Sequence, residues 1–260
     1  MLLKNTANGA IRLAVLVFCA TGLHGIDKQP RTQIAEGSYV RKTTSGSQRV
    51  DRWLLWRRPD HTYHLSSFLF PDAAKSAGST LEQVTDFDAD LRMQRFLLKS
   101  KKQKQSSSLS CELASTRLTC RAVINGESSS GSTAVEGSYI VAPIQQGENN
   151  DVPWLLAAML RLATRDAKAV THIPYIIFWP GQNFEFEPLV PAEIHYLGKE
   201  MVDVMGRKVT AHRYELMPQR ATVWTADNGF VLAYEQHGDD AYRVELVDFK
   251  QFEDFVPELK

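Results

Sequence analysis

Residues Asp151–Lys168 read DVPWLLAAMLRLATRDAK, and the reading of this stretch sets what the rest of the chain has to do. Asp151 or Val152 stands at the N-cap, and Pro153 falls in the first turn, where a missing N–H costs nothing. At about 100° per residue, Leu155, Leu156, Met159, Leu160 and Leu162, with the alanines between them, occupy most of the circumference. Arg161, Arg165 and Lys168 leave one polar stripe near the C-terminal end, where positive charge suits the helix dipole. A helix apolar on nearly every side is buried on more than one side. Its apolar run is too short and too interrupted by arginine to span a bilayer, so a curved sheet wrapped round it is expected.

The flanking sequence reads as strands. Gly37–Thr43, Arg49–Arg57 and Thr62–Phe70 are separated by Thr44-Ser45-Gly46-Ser47 and by Pro59-Asp60, both turn compositions, which predicts an antiparallel meander. Trp53 and Trp56 lie three apart, so a strand sends them to opposite faces and each face carries large apolar groups. Over 71–104 two readings stand. Leu81, Val84, Phe87 and Leu91 fit a helix with Thr80 and Gln83 as a capping box, whereas Asp86, Asp88 and Asp90 alternate as in a strand or turn.

The hairpins can be registered by pairing. With Ser115-Thr116 as a two-residue turn, Leu113 faces Leu118, Cys111 faces Cys120 and Leu109 faces Ala122, while Glu112 lies diagonal to Arg117 and Arg121 on the other face. Hydrophobic pattern and cysteine pairing select the same register, and a cross-strand Cys111–Cys120 disulfide is expected rather than two reduced cysteines. Closing so short a loop, it contributes at most about 2–3 kcal/mol by chain entropy. Asn125-Gly126 marks a turn, after which a Ser-rich tip, Ser128–Ser132, leads into a strand ending at Pro143. Val170–Trp179 is apolar, and Pro174 excludes a central paired position there. A turn at Met205-Gly206 pairs Val202 with Val209 and Asp203 with Lys208. A two-residue turn at Asn228-Gly229 pairs Trp224 with Ala233 and Val223 with Tyr234. Tyr242–Phe249 is the last strand, with no register fixed.

Of the 260 residues, 30 are basic and 30 acidic, so no cationic excess exists to neutralise phosphates and nucleic acid is excluded as the expected partner. At 43% hydrophobic and 23% charged, the composition is that of a globular protein rather than a disordered one. Lys4 and Arg12 precede the apolar run Leu13–Leu23, the order of a secretory signal. Residues 1–22 are read as that signal, with cleavage after Gly22 or, as second choice, Gly25. Residues 23–35 form a polar lead, and 36–260 a single antiparallel β domain with no membrane-spanning segment. Cys19 raises a lipoprotein reading, which the bulky Phe18 before it argues against. The expected location is periplasmic or secreted.

No motif for catalysis stands out. There is no G-x-S-x-G, and a hydrolase would need a histidine within hydrogen-bond reach of a serine or cysteine beside a cleft. His61 and His64 have the spacing of a metal pair, but residues three apart on a strand face opposite ways, so they read as a turn histidine and a strand histidine. The Asp86, Asp88, Asp90 trio opens like a calcium loop, yet Leu91 and Leu97 replace the glycine and glutamate such a loop needs. No metal or cofactor is expected. With apolar groups on both sheet faces and one helix to cover one of them, Trp53, Trp56, Trp154 and Trp224 are candidate ligand-lining residues. Arg161 and Arg165 are candidates for an anionic head group, though arginines there also serve as a solvated stripe.

The run Trp53-Leu54-Leu55-Trp56-Arg57-Arg58-Pro59-Asp60 with Tyr63-His64-Leu65, and the closing stretches Tyr196–Glu200 and Val244–Val247, resemble the periplasmic lipoprotein-carrier-like proteins (the LolA and LolB type) and related secreted bacterial domains. That resemblance implies an open antiparallel barrel around helices whose apolar interior receives acyl chains. The Cys111–Cys120 hairpin departs from the pattern. The expected fold is therefore mainly β, a strongly curved antiparallel sheet or open half-barrel with the 151–168 helix in its concavity. The expected function is non-catalytic binding of a lipid or acylated protein in the cell envelope, with an envelope protein as a further partner. The alternatives are an envelope structural or assembly protein with a filled core, and a secreted hydrolase.

Overall fold

A computed structural model describes residues 30–43, 46–69, 79–102, 105–135, 140–143, 170–173, 175–178, 192–217, 220–238 and 241–253. The expected helix over 151–168 lies outside them, with Trp154, Arg161 and Arg165, as does the expected signal over 1–22. Among the described residues every regular element is a strand.

In chain order the strands are β1 (Thr32–Thr43), β2 (Gly46–Arg57), β3 (Tyr63–Leu69), β4 (Ser79–Phe87), β5 (Met93–Lys102), β6 (Gln105–Ala114), β7 (Arg117–Ile124), β8 (Glu127–Ala134), β9 (Ile140–Pro143), β10 (Val170–Ile173), β11 (Tyr175–Phe178), β12 (Ala192–Val204), β13 (Arg207–Met217), β14 (Ala221–Thr225), β15 (Val231–Gln236) and β16 (Tyr242–Gln251). Fourteen of them form one antiparallel sheet in the order β10-β12-β13-β14-β15-β16-β1-β2-β3-β4-β5-β6-β7-β8. Its ends, β8 and β10, are not paired with each other, so the sheet is open. β9 and β11 make a separate parallel pair. Two meanders, β1 to β8 and β12 to β16, are thus joined by β16 lying against β1.

One side chain occupies that junction. The Trp53 indole on β2 lies on Gly37 of β1, where an added Cβ would stand 2.7 Å from Trp53 Cζ2 and 3.1 Å from Leu246 on β16. Because glycine leaves the space open, the ring reaches across β1 to stack on Phe230 at 5.6 Å and meets Phe249 at 6.1 Å. Phe249 faces the ring because Asp248 adopts φ 52° and shifts the alternation of β16 by one residue, a bulge conformation aspartate tolerates. Tyr39 spans the same junction: its hydroxyl donates to the Val231 carbonyl at 2.9 Å. Its amide donates to the buried Asp51 carboxylate at 3.0 Å, where the β1–β2 register shifts.

From this junction one buried cluster extends along the sheet from Ile194 on β12 to Leu118 and Cys120 on β7. A smaller cluster, Val202, Val204, Ala211, Trp224 and Ala233, lies apart from it. Strand length explains it. β12 and β13 have 13 and 11 residues, against 5 and 6 in β14 and β15. Only His212–Leu216 of β13 pairs with β14, so the distal half of the hairpin runs on unpaired. A bulge at Gly198, φ 108°, bends it, and its tip returns to β16, where the Met205 amide donates to Glu245 at 2.8 Å. The bent hairpin covers the outward Trp224.

Several expected registers are present: Cys111 opposite Cys120, Leu113 opposite Leu118, Val202 opposite Val209, Asp203 opposite Lys208 and Trp224 opposite Ala233. The Cys111–Cys120 disulfide is formed. Other expectations need correction. β1 reaches back to Thr32, because Ile34 and Ala35, placed in the polar lead, are buried and in the main cluster. The stretch 79–102 is a hairpin, not a helix: Leu81 and Phe87 face the main cluster and Leu91 sits in the turn. Ser128–Ser132 is no tip but part of β8, an end strand held by its ladder to β7 and almost wholly exposed, as polar composition at a sheet end requires. Glu112 lies diagonal to Arg117 and Arg121, as expected, and its ion pair is with Arg95 on β5 at 3.7 Å, opposite it across the other ladder. The Asn228-Gly229 turn is instead centred on Asp227-Asn228. The Gly229 amide donates to the Ala226 carbonyl, and Gly229 follows at φ 84°, a three-residue loop whose bulge at Thr225 restores the expected pairing.

Gly37→Ala tests the junction. Overpacking against a rigid ring costs about 1–3 kcal/mol in urea unfolding. In a Trp53→Phe background, whose smaller ring frees the space, the same substitution costs less than half as much. An equal cost in both backgrounds would show that the indole is not what excludes the Cβ.

Candidate functional site

Trp53, Trp56 and Trp224 are not brought together. Trp53 is fully buried in the junction. Trp224 lies in the separate cluster under the bent hairpin, its indole N–H donating to Glu200 at 2.6 Å. Trp56, half-buried on the other face of β2 from Trp53, packs its ring 5.3 Å from His64, with Arg31 5.5 Å above it.

Around Trp56 the outward faces of β2 to β4 carry a buried polar group. Cross-strand pairing sets Trp56 beside His64 and His64 beside Asp86. His64 Nδ1 lies 2.6 Å from Asp86 Oδ1, and Arg58 donates to the same oxygen at 2.9 Å. An ionised carboxylate only accepts, so Nδ1 carries the hydrogen. Burial alone would raise the Asp86 pKa. The His64 hydrogen bond and charge, and then Arg58, outweigh it and hold the carboxyl below its ordinary range. The turn that places Arg58 has His61 at φ 64°, donating its amide to the Arg58 carbonyl. His61 and His64 are thus a turn residue and a strand residue, as expected.

A second network ties the bent hairpin down. Glu245 is nearly fully buried and receives Lys42 at 2.6 Å, Arg243 at 2.8 Å and the Met205 amide. Burial pushes its pKa up, but these three donors, Lys42 first, pull it below the usual value. Arg243 also donates to the Asp203 carbonyl at 2.6 Å and lies 5.1 Å over the Trp224 ring.

The aspartate trio is divided among tasks. Asp86 belongs to the histidine, while Asp88 Oδ1 accepts the amides of Asp90 and Arg92 at 3.0 and 2.8 Å, closing the turn. Among the described residues no group of three or more histidine, cysteine or acidic side chains is arranged to hold a metal ion.

Two hydroxyl–imidazole–carboxylate rows were not foreseen. Tyr196 O–H lies 3.0 Å from His212 Nδ1, whose Nε2 is 2.8 Å from Asp227. Thr222 Oγ1 lies 2.8 Å from His237 Nε2, with Glu235 at 3.7 Å on the other side. Both are assembled by cross-strand neighbours distant in sequence. Neither contains a serine or cysteine. Thr222 is only 4% exposed, which leaves a reacting carbonyl no approach to the 3–3.5 Å that attack requires, roughly.

An open groove of about 420 Å³ lies farther along the outward face, over β4 to β7, lined by Glu82, Lys99, Lys101, Ser106, Ser108 and Val123 among others. Its lining combines lysine stems and Val123 with ammonium, hydroxyl and carboxylate groups.

Asp86→Asn is expected to cost about 3–5 kcal/mol at neutral pH, because the buried Arg58–Asp86 ion pair is broken and His64 loses its charged acceptor. The sign with pH follows from the lowered pKa. Asp86 contributes stability that is fully present above the unfolded value of about 3.9 and is lost as pH falls through the lower folded value. The gap between wild type and Asp86→Asn in urea midpoints therefore narrows below about pH 4; a pH-independent gap contradicts the assignment.

No family model matches this chain, and no curated protein matches it. Among solved structures it is similar to a DUF1089 family protein from Pseudomonas aeruginosa, at 14% identity and TM-score 0.38 over 70% of this chain and 88% of that one. It is also similar to a beta-barrel-like protein of the domain of unknown function DUF1849 from Brucella abortus, at 10% identity and TM-score 0.48 over 88% of this chain and 100% of that one. Neither is described as a lipoprotein carrier.

Proposed function

We propose that the chain is an exported, non-catalytic protein of the cell envelope that works as a structural or assembly protein, its apolar core filled by its own side chains. The observation that carries this reading is the packing of the main cluster. Trp53, Tyr39, Tyr234, Phe96 and Phe230 are each less than 2% exposed, and side chains closed in so tightly by their neighbours line no acyl-chain site. Export is supported by the signal-like opening sequence and by the Cys111–Cys120 bond, which persists where thiols are not kept reduced. A non-catalytic role is in keeping with the hydrogen-bond partners of His64, His195, His212 and His237, which are carboxylates, a phenol and a buried threonine.

A second reading, retention of an apolar or acylated ligand, is favoured by the open sheet. β8 and β10 are not paired with each other, and the chain between them includes the leucine- and alanine-rich 151–168 stretch. The lipoprotein-carrier resemblance supports the same reading. A ligand so held would lie against side chains other than Trp53.

Native mass spectrometry of protein purified from the envelope separates the two. The filled-core reading predicts the mass of the processed chain alone. Lipid that co-purifies reproducibly, and is displaced by added fatty acid, overturns it in favour of ligand retention.

A further inference from the structure

The geometry points to an anion-binding site in the groove over β4 to β7, suited to a phosphate-bearing ligand. This inference goes beyond the proposed function and does not depend on what the main cluster packs against.

Strand alternation places the side chains. Phe96 and Leu98 of β5, Leu109 and Cys111 of β6, and Cys120 and Ala122 of β7 face the main cluster, so Lys99, Lys101, Ser106, Ser108 and Val123 face outward together. Register brings them side by side: Lys99 stands between Glu82 and Ser108, Lys101 lies opposite Ser106, and Ser108 lies opposite Val123. Lys99 and Lys101, two residues apart on one face, make no ion pair among the described residues. Elsewhere on the sheet Lys42, Lys199 and Lys250 each sit on a carboxylate. Two uncompensated ammonium groups beside the serine hydroxyls Ser106 and Ser108 offer charge and directional donors to the oxygens of a phosphate. Lysine serves phosphate as a point charge without demanding bidentate geometry.

The surroundings strengthen the field. Arg95, Arg117 and Arg121 continue positive charge along the same outward face, against Glu112, which Arg95 engages. The chain as a whole carries no net charge, so this is a local excess rather than a general one. Glu82, the carboxylate in the groove, opposes a bare anion, and its position across from Lys99 would suit an ammonium on the same ligand. A volume of about 420 Å³ admits a phosphate ester of head-group or sugar-phosphate size.

The test uses the processed full-length protein with inorganic pyrophosphate in calorimetry, and with phosphatidylcholine vesicles lacking or containing phosphatidylglycerol in co-sedimentation. Pyrophosphate binding should weaken about tenfold, equivalent to roughly 1.4 kcal/mol, in Lys99→Gln/Lys101→Gln. It should be unchanged in Lys208→Gln, tightened severalfold in Glu82→Gln, and weakened by added salt. The gain in Glu82→Gln is a result that misfolding cannot imitate. Capture by phosphatidylglycerol vesicles with the same lysine dependence assigns the phosphate to a lipid head group. Pyrophosphate binding without vesicle capture assigns it to a soluble phosphate ester. Absence of pyrophosphate binding, or binding indifferent to both lysines, overturns the site; the native mass of the purified protein would stand regardless.

Discussion

The contact between the Trp53 indole and the bare Cα of Gly37 is the constraint on which the arrangement rests. In a sheet assembled from two meanders, the ladder that joins them, β16 against β1, is enforced by no short turn. That ladder joins the two ends of the described chain, so its loop-closure entropy is the largest in the sheet, and something beyond backbone hydrogen bonds has to favour it. A ring lying across β1 touches groups from both meanders: Leu246, Phe230 and Phe249 on one side, its own strand on the other. Tyr39 adds a hydrogen bond across the same boundary. A side chain at position 37 would press on the ring that bridges the two halves of the core.

The second face follows a different logic. Sheets with one covered face commonly leave the other to water, and here the outward face is mixed. Over β14 to β16 it is covered by the protein's own long hairpin, bent at Gly198 and held at its tip by Glu245. Around Trp56 it carries the buried Asp86, whose hydrogen bonds from His64 and Arg58 hold its pKa down. Over β5 to β8 it is serine, lysine and arginine. Each buried carboxylate marks a place where separate strands converge: Asp51 at the β1 bulge, Asp86 at the β3–β4 ladder and Glu245 under the hairpin tip. Apolar side chains on both faces therefore do not by themselves imply a ligand cavity, since a hairpin that outruns its neighbours can cover one of them.

How much of this was legible depended on how local the signal was. Hairpin registers at Ser115-Thr116 and Met205-Gly206 could be derived because a two-residue turn fixes every pair behind it, and alternation selects the face. The Ser-rich strand β8 was not legible, since its only support is the ladder to β7 and its side chains carry no pattern. The 79–102 hairpin was ambiguous because Leu91 takes φ 57° in the turn, a conformation that costs leucine about 1–2 kcal/mol, yet its side chain is buried in the core. The β1–β16 pairing joins residues some two hundred apart, and the glycine under Trp53 is recognised only once β1 and β2 are in register; no single-sequence period reports either contact. Of the candidate site residues, the cysteine pair was read from register, whereas the histidine rows and the lysine groove are products of cross-strand neighbourhood that spacing along the chain does not encode.

Native-state hydrogen exchange at the junction tests this account most directly. If the two meanders are held together by the Trp53 packing, the amides of the β1–β16 ladder, where Val40 faces Glu245 and Arg41 faces Val244, exchange only with global unfolding, alongside the slowest amides of β2 and β15. If those amides instead exchange through a lower-energy opening while β2 to β7 stay protected, the two meanders are separately stable and the junction is not what the sheet depends on.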